Sequence, residues 1–405
     1  MDGHDIAALG GKLQRFLSQF SPFFASFKGR DNFERYVSGQ LSGLQRKSIE
    51  PMADAIDVCP RRMQLFLSNQ IWDEDSVRDK VQEFVMRKFS TDENIGIFDE
   101  TSFAKKGNET ACVQRQYCGA TGKTDNCVVS VHLAFATQDF HTLIDGAPYL
   151  PRSWVDDFER RRKVGIPDEL PYRSLHEIAI EQLDRARENG VRFDWISADA
   201  NYGKVPNFLR HMEKIEQHYI IEVPVKMTGW VRRPGVLLEE IEEWSGRPRK
   251  FPRLASNARR AKSVADLVNE STAFTKQEWT SFRIKETEKG PEVWEAKSSR
   301  FFVKRDGLPS RELLLVVARN VLDEKGHLKY FLVHAPADTP MTTILRVAFT
   351  RWRVERCFQD TKTEMGMDHF EVRLYPSIVR HLIISMVSHL FLADQRERLK
   401  KGYLA

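Results

Sequence analysis

The hydrophobic period of this chain changes near residue 94, and that change restricts its fold more than any other feature. Before it, apolar residues recur at helical spacing. In "EDSVRDKVQEFVMRKF", Val77, Val81, Phe84 and Val85 fall at i, i+4, i+7 and i+8, behind an acidic start at Asp73 to Asp75. In "SIEPMADAIDVCPRRMQLFLS" the pattern predicts two short helices with a tight bend near Asp57–Cys59 and Pro60 at a first helical position. Residues 1–90 therefore read as a helical domain. Its bend permits a helix-turn-helix with Arg61, Arg62 and Gln64 facing DNA, or a plain helical hairpin with a solvated basic face.

After the change, strands and helices mix. "NIGIFDE" is a short apolar run ending in acid; "NCVVSVHLAFAT" and "HTLIDGAPYL" read as strands joined by a turn near Thr137–Asp139. "SLHEIAIEQLDRARENG" is an amphipathic helix stopped by Gly190. "WISADANYG", "HYIIEVPV", "ELLLVVARNV" and "KYFLVHAP" return to strand, and a long helical tract is expected from about Thr342 past Leu392. The fold class is α/β. Four segments are expected: 1–90, 91–225, 226–305 and 306–405.

Composition narrows the function classes. The chain has 405 residues, more than one ordinary core accommodates. No run of about 18 uncharged apolar residues exists, so no membrane partner is expected. The N-terminus lacks a basic start followed by an apolar stretch, so a secretory signal is not expected. Its five cysteines form no CxxC pair, which argues against structural zinc and for a reducing cytosol. The net charge of +5 is modest, but its distribution is uneven. Between Lys226 and Lys262 ten Lys/Arg face four Glu, and Trp230, Trp244, Trp279 and Trp294 are spread through the same part of the chain. Such a stretch is either a solvated face or a surface that follows phosphates and stacks on bases, with Arg232, Arg233 and Lys250 as its candidate DNA contacts.

Three carboxylates carry the chemistry. Asp99 follows the strand "IGIF", Asp199 follows "WISA", and Glu355 lies among the bases of "RWRVERCFQDTK". Acids at strand ends are expensive to bury unless something neutralises them. Mg²⁺, which prefers hard oxygen ligands, is the natural partner. Two such ions activate a water or 3′-hydroxyl and stabilise the leaving oxygen of a phosphodiester. On an ideal helix Lys362, seven residues on, returns to the face of Glu355 roughly 10 Å along. Arg351, Glu355, Phe358 and Lys362 then form a stripe, with Trp352 and Arg353 beside it. The plainer alternative is an i,i+4 ion pair of Arg351 with Glu355. Glu100 neighbours Asp99, but adjacent strand residues point to opposite faces.

Together "GIFDETSFAKKG", "ISADANYG" and "RWRVERCFQDTKTEMGMDHFEVR" resemble motifs of the DDE transposases of bacterial insertion sequences, in the IS-four-like clan and its IS-seven-hundred-one branch. The likeness runs over most of the chain and is weakest in 226–305. It implies an RNase H-like catalytic core, a helical N-terminal DNA-binding domain and a mainly β insertion before the last catalytic helix. The 355 − 199 = 156 residues between the second and third acids suit that insertion. The resemblance implies Asp99, Asp199 and Glu355 as catalytic and metal-binding residues for two Mg²⁺ ions, with Mn²⁺ able to substitute. It implies Arg351 and Lys362 as DNA contacts; Arg353 is a further candidate, and Trp352 is either a contact to the distorted DNA end or an ordinary core tryptophan. The clan's helix signature, Tyr-x2-Arg-x3-Glu-x6-Lys, is matched at Arg351, Glu355 and Lys362, but Ala348 stands at its tyrosine, with Phe349 next to it.

The expected function is cut-and-paste transposition: cleavage at inverted-repeat ends and strand transfer into target DNA. The expected partners are double-stranded DNA and a second copy of the chain, a homodimer or higher in the DNA complex. The expected setting is the bacterial cytoplasm, at the nucleoid. The rival reading is a catalytically inactive DNA-binding protein or repressor. A glycosidase using paired acids suits the basic patches poorly.

Overall fold

The computed structural model describes residues 3–237, 251–287, 290–323 and 326–403. In chain order, five helices come first: α1 (Gly3–Leu17), α2 (Phe27–Gln40), α3 (Ile49–Ala55), α4 (Pro60–Ser68) and α5 (Glu74–Phe89). Strands β1 (Ile95–Ala104), β2 (Gln114–Cys118), β3 (Lys123–Ala136) and β4 (His141–Pro148) follow, then α6 (Arg152–Val155), α7 (Phe158–Lys163) and α8 (Leu175–Glu188). Next are β5 (Trp195–Ala198), α9 (Ala200–Gly203), α10 (Pro206–Lys214), β6 (Tyr219–Glu222) and β7 (Thr228–Trp230). The chain continues through β8 (Val236–Leu237), β9 (Arg253–Leu254), β10 (Lys262–Ser263), α11 (Val264–Glu270) and α12 (Thr272–Thr275). It then forms β11 (Thr280–Thr287), β12 (Gly290–Arg305), β13 (Leu308–Pro309), β14 (Leu313–Asn320) and β15 (Leu328–His334). Three helices close it: α13 (Met341–Thr350), α14 (Trp352–Met365) and α15 (Tyr375–Tyr403). Two compact units result, one of Met1–Asp194 with Trp352–Ala405, the other of Trp195–Arg351.

Local chemistry sets the helix starts of the first unit. Asp73 caps α5 by accepting the Ser76 N–H, Ser174 and Glu177 form a capping box on α8, and Pro60 opens α4. The bend between α3 and α4 places Asp57 at φ 51°, in the left-handed region that Asp tolerates better than most residues. The described residues before β1 are mainly helical, and they share a core with the rest of their unit. Phe24, Phe66 and Trp72 stack, with ring centroids 5.3 Å apart for Phe24–Trp72 and 5.6 Å for Phe66–Trp72. From α2, Tyr36 meets His381 at 2.9 Å, and Gln40 bonds Ser385 and Ser388 at 2.8 Å each, so α15 closes the same core.

The expected helical tract after Thr342 is three helices. Gly366 ends α14 at φ 64°, where a Cβ would sit 2.7 Å from Lys47 Cβ, so the chain turns there and only glycine fits. Helix α15 has the length and hydropathy of a membrane span over Tyr375–Lys400, but 83% of its most apolar window is buried inside the protein. It also buries Arg380, His381, His389 and Asp394. It is the central helix of a core.

In the first unit β1 pairs antiparallel with β3, and β3 pairs with β2 and β4. Alternation assigns the two faces. Cys118, Cys127 and Val129 face α8, whose Leu175 packs on them. His132 faces α14, whose Phe358 meets it edge-on at 5.3 Å. In the second unit β5 and β6 are parallel, and β6, β15, β14 and β12 continue antiparallel. Hairpin β11–β12 and the pairs β12–β7 and β7–β10 extend that sheet, so most of the described strands of segment 226–305 share a sheet with β14 and β15. Trp294 of β12 stacks on Phe349 of α13 at 4.1 Å.

Candidate functional site

Asp99 lies on β1 directly opposite His132 of β3, and side chains opposite one another share a face. That face is the one α14 covers. Lys362 of α14 donates to the Ser102 carbonyl at 3.3 Å and lies 5.5 Å from the Phe103 ring centroid, two pleats along from Asp99. Helix α14 therefore crosses β1 on the Asp99 side, while Glu100 points to the α8 side. Asp99 is half-buried, its Oδ1 accepting the Glu100 N–H at 2.8 Å.

The helix presents Glu355 to solvent from its first turn. Val354, Cys357, Phe358, Thr361 and Met365 form its buried stripe. An acid in the first turn and Lys362 in the last turn both suit the helix dipole. The expected stripe is thus divided: Glu355 is exposed, Phe358 is buried, and Lys362 is half-buried against β1. Burial lowers the Lys362 ammonium from its ordinary pKa, with Asp368 pulling it back up. His132 is pushed down to about 3, by burial first and the Lys362 charge second, so a neutral imidazole lies beneath this face.

Asp199, in the second unit, caps α9 by accepting the Asn201 N–H at 2.8 Å and Asn201 Nδ2 at 3.1 Å. Gly203 sets this turn. A Cβ there would lie 2.1 Å from the Glu222 carbonyl and 2.9 Å from Ile221 Cγ2. Gly203→Ala is expected to push α9 off β6 and destabilise the chain by about 1–3 kcal/mol, read as a lower denaturant midpoint.

Several expected DNA contacts have other duties. Arg353 donates to the carbonyls of Thr137, Gln138 and Phe140 and secures the β3–β4 turn. Arg62 bonds Asn32 and Asp31, tying α4 to α2. Arg61 is exposed and lines a 280 Å³ hollow with Gln64 and Arg373. Arg351 is the half-buried last residue of the second unit. Trp352 is 45% exposed beside His141. Arg232 and Arg233 are exposed, and Arg233 reaches the Ser310 carbonyl at 3.2 Å. Lys250 and Trp244 lie outside the described residues. Trp230 and Trp294 are buried and serve packing, not stacking on bases. Ala348 is buried at the tyrosine position, and Phe349 spends its ring on Trp294 and Phe331, so neither supplies a hydroxyl.

Among the described residues no three His, Cys, Asp or Glu side chains are grouped to hold a metal ion. Asp99 and Glu355 belong to packed elements of one unit and Asp199 to the other. Their oxygens have the hardness that Mg²⁺ prefers. His132, opposite Asp99, has no local signal beyond its place in the apolar run "VVSVHLAFA".

Known proteins offer independent comparisons. A probable transposase for insertion sequence element IS701 from Microchaete diplosiphon is 26% identical over 215 residues, covering 52% of this chain and 53% of that protein. The chain thus spans about half the length of the curated relative it matches. Among solved structures, Ciona intestinalis endonuclease V in complex with an inosine-containing DNA is similar at 11% identity and a TM-score of 0.27, over 71% of this chain and 96% of that one. An aspartate-to-asparagine variant of the same enzyme, also bound to inosine-containing DNA, is similar at 12% identity and a TM-score of 0.25, with the same coverage. The DDE superfamily endonuclease profile matches residues 22–290, from shortly after α1 to the first residue of β12, and takes in both Asp99 and Asp199. With that span matched, the chain belongs to the DDE superfamily endonucleases.

Proposed function

We propose that this chain is the transposase of a bacterial insertion sequence, which cleaves the inverted-repeat ends of its element and joins the freed 3′ ends to target DNA. Its RNase H-like core carries Asp99, Asp199 and Glu355 as metal-binding carboxylates, served by two Mg²⁺ ions. The observation that carries this reading is the placement of Asp99 on the β1 face crossed by the helix that bears Glu355. That pairing of strand acid and helix acid occurs in a chain of a DDE endonuclease family. When bound, divalent ions supply Lewis acidity and a readily deprotonated nucleophile. The protein's own part is positional. Asp99 offers a carboxylate held by the Glu100 N–H, and Lys362 fixes α14 against β1 through the Ser102 carbonyl. Exposed Trp352 offers a ring on which a splayed base stacks. Cleavage and joining are both in-line displacements at phosphorus, so one set of carboxylates serves both.

Helices α3 and α4 supply the helix-turn-helix, with Arg61 and Gln64 toward DNA, and Arg232 and Arg351 add phosphate contacts. The chain works as a dimer or higher, because two ends must be held together, and it acts in the cytoplasm at the nucleoid. The test is to incubate purified full-length protein with Mg²⁺ and duplexes carrying the inverted repeats that flank its gene, and to map cut phosphates. Cuts at the repeat ends are expected. Tight end binding without cuts would instead favour a DNA-binding protein that lacks catalysis.

A further inference from the structure

We propose that the second unit carries a phosphate-binding pocket, built by Lys204, Lys226, Lys304 and Arg305 at the start of α10, that grips a backbone phosphate of bound DNA. The proposal rests on the DNA-acting reading above but names a place and a ligand group that reading does not. The pocket has a volume of about 270 Å³, room for a phosphate and several waters. Its basic residues come from separate places in the chain. Lys204 ends α9, Lys226 lies between β6 and β7, and Lys304 and Arg305 end β12. Pro206, Leu209, Pro224, Met227, Thr228 and Val303 complete the wall, which contains no carboxylate.

Two further features favour an anion. Helix α10 spans nine residues and starts at Val205 and Pro206, and no side chain caps it. The positive end of its dipole is therefore uncompensated by a capping oxygen. Arg305 is 8% exposed and locked to Glu213 by bonds of 2.8 and 2.9 Å, so its charge is balanced within the fold. The three lysines are not balanced in this way. Lys204 donates to the Asn201 amide oxygen at 2.9 Å, and among the described residues Lys226 and Lys304 form no ion pair. Like charges gathered from three elements repel unless an anion sits among them. Lys204 also lies one short helix beyond Asp199, so a phosphate here belongs to DNA passing that carboxylate.

A lysine-acetylation footprint of the full-length protein tests this without any substitution. Lys226 and Lys304 are expected to lose reactivity several-fold when duplex DNA is added, while exposed Lys276 of the same unit serves as reference. Inorganic phosphate alone, at matched ionic strength, is expected to protect them weakly. Strong protection by phosphate with none by duplex would overturn the assignment in favour of a free anion. In a second arm, the K226Q/K304Q protein should lower the slope of log affinity against log salt by about 0.9, the value for the one phosphate no longer neutralised. Both side chains are exposed, so its melting temperature should match wild type. A wild-type slope in that folded variant would overturn the proposal. If the wild-type protein cuts no repeat ends yet shows the footprint, the transposase reading fails and the pocket stands.

Discussion

Asp99→Asn is expected to reduce metal-dependent cleavage of end DNA by about a thousand-fold or more, while end binding and folding stay close to wild type. The substitution keeps the shape of the side chain and an oxygen able to accept the Glu100 N–H now bonded at 2.8 Å. What it removes is negative charge from a group that is to hold a divalent ion. Lewis-acid stabilisation of a phosphoryl transition state is worth several kcal/mol, and each 1.4 kcal/mol or so is a factor of ten in rate. Asp99 is only half-buried and the replacement is isosteric, so stability should move by less than about 1 kcal/mol. Glu355→Gln should behave the same way, because Glu355 is exposed on α14 and the buried stripe of that helix is untouched. Single-turnover cleavage, end binding and thermal melting measured on one preparation decide it. Undiminished cutting by either variant would remove that residue from the proposed metal site.

Acid should unfold the first unit well above the range where its carboxylates titrate. Four histidines are buried there and held neutral: His132 at about 3, His141 at about 2, His381 at about 4 and His389 at about 3. Burial is the first cause in each. Neighbouring cations add to it: Lys362 at His132, Arg396 at His389 and at His141, and Lys105 at His381. A folded-state pKa below the unfolded one contributes stability that is present above the unfolded value, near 6.5, and is lost as pH falls toward the folded value. Each histidine then loses about 1.4 kcal/mol per pH unit below 6.5. All four act in the same direction, so together they weaken the fold markedly as pH falls toward 4.5. Asp145 and Asp360 work the other way, since burial raises both and protonation relieves it, so part of this loss is offset. The melting temperature should fall steeply between pH 6.5 and 4.5. His389→Asn, which removes one proton site, should make the fall shallower. A melting temperature unchanged from pH 7 to 5 would show that these imidazoles titrate normally.

Much of the element sequence was legible from local pattern. The α5 stripe, the β3–β4 hairpin, the amphipathic α8 stopped at Gly190 and the bend at Asp57 all follow from spacing or from turn chemistry within a few residues. The break at Gly366 has a local part, its φ of 64° and His369 at 2.7 Å from a Cβ placed there, and a distant part, Lys47 at the same distance from more than three hundred residues away in the chain, which no local pattern shows. The basic side chains divide similarly. Arg62, read from a helix-turn-helix pattern, also bonds Asp31 and Asn32, and Arg353, read from the family likeness, also bonds three carbonyls of a distant turn. Trp230 and Trp294, read among mixed bases and aromatics as one of two alternatives, are buried.

Sequence alone determined the α/β class, the place of Asp199 just after its strand and of Glu355 on a helix, and the likeness to DDE enzymes. Those properties are written in short periods and nearby residue types, which a linear reading can detect. Asp99, read as following its strand, instead lies within β1, because the strand runs on to Ala104 in its pairing with β3. Tertiary structure alone decided which side of β1 meets α14, and hence that Asp99 and not Glu100 shares a face with His132 and Lys362. It also decided which arginines are consumed by the fold and that three separated lysines line one hollow. The physical reason is that a side chain's neighbours across a sheet or beneath a helix are fixed by packing, and packing is a property of the whole chain rather than of any window in it.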